Sequence, residues 1–169
     1  MNPAATHNRL AELRLVAFDV DGVFTDGRFY LSDEGIESKA FNTQDGFGIR
    51  RLIDAGFHVA VISGRRSAAA GIRMEELGVT HVILGTTNKV AAFEELTAAL
   101  GIQASECAYV GDDVPDLALL DKVGYSIAVA NAVDEVRDFC DYTTKAAGGH
   151  GAVREVCDLV LAARPEYAR

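Results

Sequence analysis

Short apolar runs alternate along this chain with segments whose apolar positions recur every three to four residues. Leu15–Phe18, His58–Ile62, His81–Leu84, Ala108–Val110, Ser126–Val129 and a short Tyr142–Thr144 predict strands. Gly46–Ala55, Ser67–Leu77, Lys89–Leu100, Pro115–Lys122, Val133–Asp138 and Ala152–Ala162 predict amphipathic helices, and Gly56, Gly78, Gly101 and Gly124 stand where helix C-caps belong. Strands that are apolar throughout are buried on both faces. The expected fold is therefore α/β: a doubly wound, mostly parallel, Rossmann-like sheet with no separate cap domain. A single domain is expected over residues 13–164, between a loosely ordered start at 1–12 and a solvated tail at 165–169.

One stretch breaks the alternation. Gly27–Phe41 switches to a period of two around Ser32-Asp33-Glu34-Gly35, which predicts a β-hairpin inserted after the first strand. Phe29, Leu31, Ile36 and Phe41 give it more apolar surface than a two-stranded ribbon buries alone. Packing on its own domain and packing against another subunit both satisfy that surface.

At 169 residues the chain is long enough for one sizeable core, and its net charge of −9 argues against nucleic-acid binding. No apolar run is long enough to span a bilayer. The polar Met1–Arg9 lacks the apolar stretch of a signal peptide, so a cytoplasmic location is expected. Cys107, Cys140 and Cys157 lack metal-binding spacing and read as buried, reduced thiols.

The chemistry gathers at the strand ends, where parallel α/β sheets bind ligands. Asp19 and Asp21 follow the first strand two residues apart, so both carboxylates project to one side. Such a pair persists only where a cation, a proton or a reaction uses it. Ser63 ends the second strand, Lys89 opens the helix after the third, and Gly111-Asp112-Asp113 ends the fourth, with Asp116 one turn on. Carboxylates at this density need positive charge among them, and oxygen-only ligands that also meet a phosphate select Mg²⁺. In such a site Asp19 can attack phosphorus, Asp21 can serve as general acid and then base, and Ser63 and Lys89 can hold phosphoryl oxygens.

Asp19-Val20-Asp21-Gly22, Ile62-Ser63-Gly64, Lys89 and Gly111–Asp116 resemble, in order, the four motifs of the haloacid dehalogenase-like phosphohydrolases. Asp19–Asp26, Lys39–Arg50, Ser63–Arg66 and Gly148–Glu155, with the hairpin, further resemble the 3-deoxy-D-manno-octulosonate 8-phosphate phosphatase family over nearly the whole chain from residue 13. The resemblance implies a phosphomonoesterase of lipopolysaccharide precursor biosynthesis. It implies Mg²⁺ on Asp19, Asp112 and the carbonyl of Asp21, and a homotetramer whose hairpins cap neighbouring sites. Dehalogenases of the superfamily lack the second aspartate, so Asp21 points to phosphoryl chemistry.

The expected substrate contacts are Asp21, Arg65, Lys89 and Asp113 with the Asn42-Thr43-Gln44-Asp45-Gly46 loop, Arg50 and Arg73. That loop reads equally as the N-terminal cap of its helix. One phosphate needs one cationic partner, and several arginines suggest a second negative charge on the substrate. Asp116 is expected behind the ligands, and His150 is left at the lip without a role. The competing readings are a phosphatase of another acidic sugar phosphate such as a nonulosonate 9-phosphate, a phosphomutase, and a non-catalytic receiver-like module phosphorylated on aspartate. The receiver order differs, because there the acidic pair precedes a phosphoacceptor on a middle strand.

Overall fold

The computed structural model describes residues 3–164, 166 and 167. The ends of the expected start and tail, residues 1, 2, 165, 168 and 169, lie outside the described residues. A first helix α1 (Pro3–Ala11) leads into β1 (Leu15–Phe18), then β2 (Tyr30–Leu31) and β3 (Glu37–Ser38) form the hairpin. The chain continues through α2 (Thr43–Asp54), β4 (His58–Ser63), α3 (Ala68–Leu77), β5 (His81–Leu84) and α4 (Lys89–Leu100). It ends with β6 (Cys107–Gly111), α5 (Leu117–Leu120), β7 (Tyr125–Ala128), α6 (Asp134–Phe139), β8 (Tyr142–Thr143) and α7 (Ala152–Ala162).

The six long-range strands pair in parallel in the order β5-β4-β1-β6-β7-β8. With the hairpin set aside this is the doubly wound order, and the direction of winding reverses between β1 and β6. All four residues of β1 are fully buried. Helices α2 and α7 lie against one another. Gly48 allows their close approach, since a Cβ there would stand 3.2 Å from the Arg154 Cα.

Four expectations need correction. The start of the chain is not loose: α1 docks through buried Leu10, and the Arg9 guanidinium binds both oxygens of Asp141 at 2.8 and 2.7 Å. A polar nine-residue helix is marginal alone, and tertiary contacts supply what its periodicity does not announce. The helix expected from Gly46 begins at Thr43, because Asn42 caps it by accepting the Gln44 N–H at 2.8 Å. The segment expected as a helix from Pro115 opens as a 3₁₀ turn at Val114–Asp116, where Asp116 turns inward. Gly124, expected as a C-cap, instead permits a close approach, for a Cβ there would overlap the Ser105 carbonyl.

The base of the hairpin packs on its own domain, with Phe41 against the core and Glu37 on Arg65 and Ser67, but its tip does not. Tyr30, Leu31 and Ile36 are 64–71% exposed. Phe29 is partly covered by the Arg65 guanidinium, 3.9 Å from its ring centre. Cys107 and Cys157 are buried and Cys140 is half-buried, all three as free thiols. Burial pushes Cys107 and Cys140 up to about 12.

Candidate active site

The carboxyl ends of β1, β4 and β6 frame a cleft of about 290 Å³ lined by Asp19, Asp21, Ser63, Arg65, Lys89, Asp112, Asp113 and Asp116. It sits where the winding reverses, so the residues after the two central strands face one another. Asp19 directly follows β1, and its backbone N–H donates to the Val110 carbonyl of β6 at 2.9 Å. Lys89 reaches the cleft from the first turn of α4, whose start is fixed by Asn88 accepting the Ala91 N–H.

Lys89 is buried between two carboxylates, with Nζ 3.1 Å from Asp19 Oδ2 and 2.7 Å from Asp116 Oδ1. The two carboxylates are committed differently. Asp116 Oδ1 also accepts the Tyr109 hydroxyl at 2.7 Å, and its Oδ2 accepts the backbone N–H groups of Asp112 and Asp113 at 3.0 and 3.4 Å. Both its oxygens are satisfied, so it braces Lys89 and the loop after β6. Asp19 Oδ1 is buried without a hydrogen-bond partner, as expected of an oxygen held for a ligand or a reaction. Burial pushes Asp19 up to about 6 against the pull of Lys89. Burial beside Asp19 and Asp116 raises Asp112 to about 8.

Carboxylate oxygens of Asp19, Asp112 and Asp116 come within 4.8 Å of one another. The donor set is all oxygen, and Asp19 Oδ1 within it is buried without a partner, so it fits a hard divalent ion. Gly22, at φ +84°, makes room for this: a Cβ there would overlap the Asp112 carboxylate. Behind Gly22 the loop at Gly148–Gly149 presses backbone on backbone. A Cβ at Gly148 would overlap the Gly22 carbonyl, and the Gly149 N–H donates to Val23 O at 3.1 Å.

Ser63 is buried at the end of β4 with its Oγ turned to the cleft, 3.4 Å from the Arg65 N–H. Asp113 is exposed at the rim and accepts the Val114 N–H. The remaining expected contacts are not brought into this chain's cleft. Asp45 is buried and accepts the Arg154 N–H at 2.8 Å, tying α2 to the start of α7. Gly46 lies beneath the Arg73 guanidinium, which pairs with Glu76, and Arg50 donates to the Glu76 carbonyl. Thr43 and Gln44 are exposed, and Asn42 reaches Gly149 O at 3.4 Å. Charge alone could not say which way these side chains point. His150 lines a separate depression with Asp26, Arg28 and Asn131.

Sequence reasoning named Arg65 but missed Lys39 and Glu37 beside Asp21. Lys39 binds Asp21 Oδ1, Arg65 Nε stands 3.5 Å from Asp21 Oδ2, and both cations face Glu37. The Ser67 hydroxyl and these cations hold Glu37 below the usual carboxylate range. The available signal was the period of two in the hairpin, which puts Glu37 and Lys39 on one face.

The haloacid dehalogenase-like hydrolase family pattern matches residues 81–156. The 3-deoxy-D-manno-octulosonate 8-phosphate phosphatase of Yersinia pestis is 46% identical over 156 residues, covering 92% of this chain and 83% of that protein. The Escherichia coli K12 enzyme of that name is 47% identical, covering 90% and 81%. The crystal structure of the Moraxella catarrhalis 3-deoxy-D-manno-octulosonate 8-phosphate phosphatase, in complex with magnesium, phosphate and KDO, superposes with a TM-score of 0.95 at 42% identity. It covers 98% of this chain and 95% of that one. With its strand-end aspartates, lysine and serine in place, the chain belongs to the 3-deoxy-D-manno-octulosonate 8-phosphate phosphatase family of haloacid dehalogenase-like hydrolases.

Proposed function

We propose that this chain is a Mg²⁺-dependent phosphomonoesterase that hydrolyses 3-deoxy-D-manno-octulosonate 8-phosphate to the free sugar acid and phosphate, in lipopolysaccharide precursor biosynthesis. The observation that carries the chemistry is Asp19: one oxygen faces Lys89 at 3.1 Å and the other is buried and unpartnered. The substrate comes from the enzymes this chain resembles, one of them seen with KDO.

Asp19 attacks phosphorus and becomes the aspartyl-phosphate as the P–O bond to the sugar breaks. Asp21 gives its proton to the departing alkoxide and takes one from the water that hydrolyses the intermediate. Ser63 donates to a phosphoryl oxygen, and Lys89 balances charge on the transferring group. Mg²⁺, held by Asp19, Asp112 and the Asp21 carbonyl, supplies the remaining positive charge that lets a dianion approach these carboxylates. Arg65 and Asp113 line the approach to the sugar. Arg50, Arg73 and the exposed Thr43 and Gln44, which lie away from their own cleft, contribute only from a neighbouring subunit, whereas Asp45 and Gly46 are buried within their own chain.

The enzyme is a homotetramer that joins through its hairpins, a reading supported by their exposed apolar residues. It works in the cytoplasm, to which three free thiols are suited. Among the described residues no helix is long and apolar enough to cross a membrane. Phosphate release from 3-deoxy-D-manno-octulosonate 8-phosphate, a nonulosonate 9-phosphate and glucose 6-phosphate, with Mg²⁺ and with chelator, tests the assignment. The first substrate should lead glucose 6-phosphate, which lacks the carboxylate, by about one to two orders of magnitude in kcat/KM, the worth of one charged hydrogen bond to that group. Equal turnover of glucose 6-phosphate would remove the acidic sugar and leave a phosphatase.

A further inference from the structure

Lys39 has an unusual address. It follows the second strand of an exposed hairpin, yet its side chain is fully buried. Burying an ammonium is expensive unless it is paired, and the pairing here is specific. Nζ donates to Asp21 Oδ1 and stands 3.9 Å from Glu37 Oε1. On the other side Arg65 presents Nε to Asp21 Oδ2 at 3.5 Å and Nη2 to Glu37 Oε2 at 2.7 Å. Two carboxylates and two cations close a neutral ring at the mouth of the cleft, and the Ser67 hydroxyl fixes Glu37 within it.

Within that ring Lys39 and Arg65 are not equivalent. Arg65 lines the cleft and is about half exposed, whereas Lys39 lies behind Asp21, outside the lining. Among the described residues Lys39 donates the one hydrogen bond that Asp21 accepts, and Asp21 Oδ2 keeps unused lone pairs. An acid that must meet a leaving oxygen in one step and a water in the next needs a fixed orientation, and a small misplacement is costly in rate.

We propose that Lys39 is a positioning residue for Asp21: from the stem of the hairpin it fixes the carboxyl group in the orientation that proton transfer needs. The proposal rests on the reading of Asp21 as general acid and base. Lys39 is buried outside the cleft lining, so its effect on the reaction passes through Asp21. Glu37 balances the charge and keeps the ammonium beside Asp21 when the cleft is empty.

The test compares Lys39→Met, Lys39→Arg and Asp21→Asn as purified full-length enzymes with Mg²⁺. On a sugar phosphate, whose alkoxide needs a proton, Lys39→Met should lower kcat about tenfold to a hundredfold with KM within about twofold, and Lys39→Arg should recover part of it. On p-nitrophenyl phosphate, whose leaving group departs unprotonated, the burst that forms phosphoenzyme should stay within about twofold of wild type. Its steady state should fall, because hydrolysis still needs Asp21 as base. A retained burst also excludes a folding defect, which would slow both phases together. Wild-type kcat in Lys39→Met, beside a slow Asp21→Asn, would overturn this proposal alone, as would a change confined to KM or an equal loss of burst and steady state. Normal turnover in Asp21→Asn would overturn the acid–base reading, and this proposal with it.

Discussion

Asp19 and Asp116 are buried carboxylates on either side of one lysine, and their variants should separate cleanly. Asp19→Asn should abolish measurable turnover, because an amide is not a competent nucleophile. It should leave the melting temperature unchanged or raise it, since one of several crowded negative charges is gone. Asp116→Asn turns an amide NH₂ or loses an acceptor toward Lys89, Tyr109 and two backbone N–H groups, so it should also destabilise by about 1–3 kcal/mol. Phosphate release and thermal melting on the same preparations check both. Asp112→Ala should behave like chelated wild type, inactive and not restored by added Mg²⁺, whereas chelated wild type should recover. Full activity in excess chelator would contradict the metal assignment. Asp19, Ser63 and Asp112 were legible because each stands at the end of an apolar run, and Lys89 because it opens the helix after one; in a doubly wound sheet these positions converge. Lys39 was not, because the hairpin folds it under Asp21, and no local pattern records that. Asp45 was ambiguous for a related reason: a carboxylate in a first helical turn can serve its own helix, a ligand or, as here, the helix packed beside it.

At the scale of elements, the sheet and its helices followed from hydrophobic periodicity, and the miss was α1. Its stability depends on a partner more than a hundred residues away, which no window of sequence contains. Burial alone would push the Asp141 carboxyl up, but Arg9 and the Ser126 N–H hold it below the ordinary carboxylate value. Arg9→Ala should therefore destabilise by about 1 kcal/mol, toward the lower end for a charged hydrogen bond because Arg9 is partly exposed. In a chain of this size that is about 2–4 °C in melting temperature. A depressed carboxyl contributes stability above its unfolded pKa and loses it as pH falls through its folded pKa. The gap in melting temperature between wild type and Asp141→Asn should accordingly be widest near neutrality and close in acid. A gap that widened in acid would contradict the pairing.

For the whole molecule, the hairpin is the part that one chain leaves unfinished. Leu31 and Ile36 are about two-thirds exposed on an element whose base holds Glu37 and Lys39 at the cleft. Leu31→Asp with Ile36→Asp should dissociate the proposed homotetramer and lower activity together, read by sedimentation velocity and phosphate release. A wild-type protein that sediments as a monomer at working concentration would refute the tetramer. The contact of Gly148 on the Gly22 carbonyl, with the Gly149 N–H on Val23, carries a separate consequence for motion. Two loops more than a hundred residues apart meet backbone on backbone, and the Asn131 amide ties them by donating to the Gly22 carbonyl and accepting the Gly148 N–H, so neither lifts without breaking these contacts. Deuterium should therefore enter the Gly149 amide only in the rare global opening that also exposes β1, at the rate of the central strands and far more slowly than in the hairpin. A site fixed in this way meets its substrate without loosening, and whatever breathing turnover requires falls to the hairpin side.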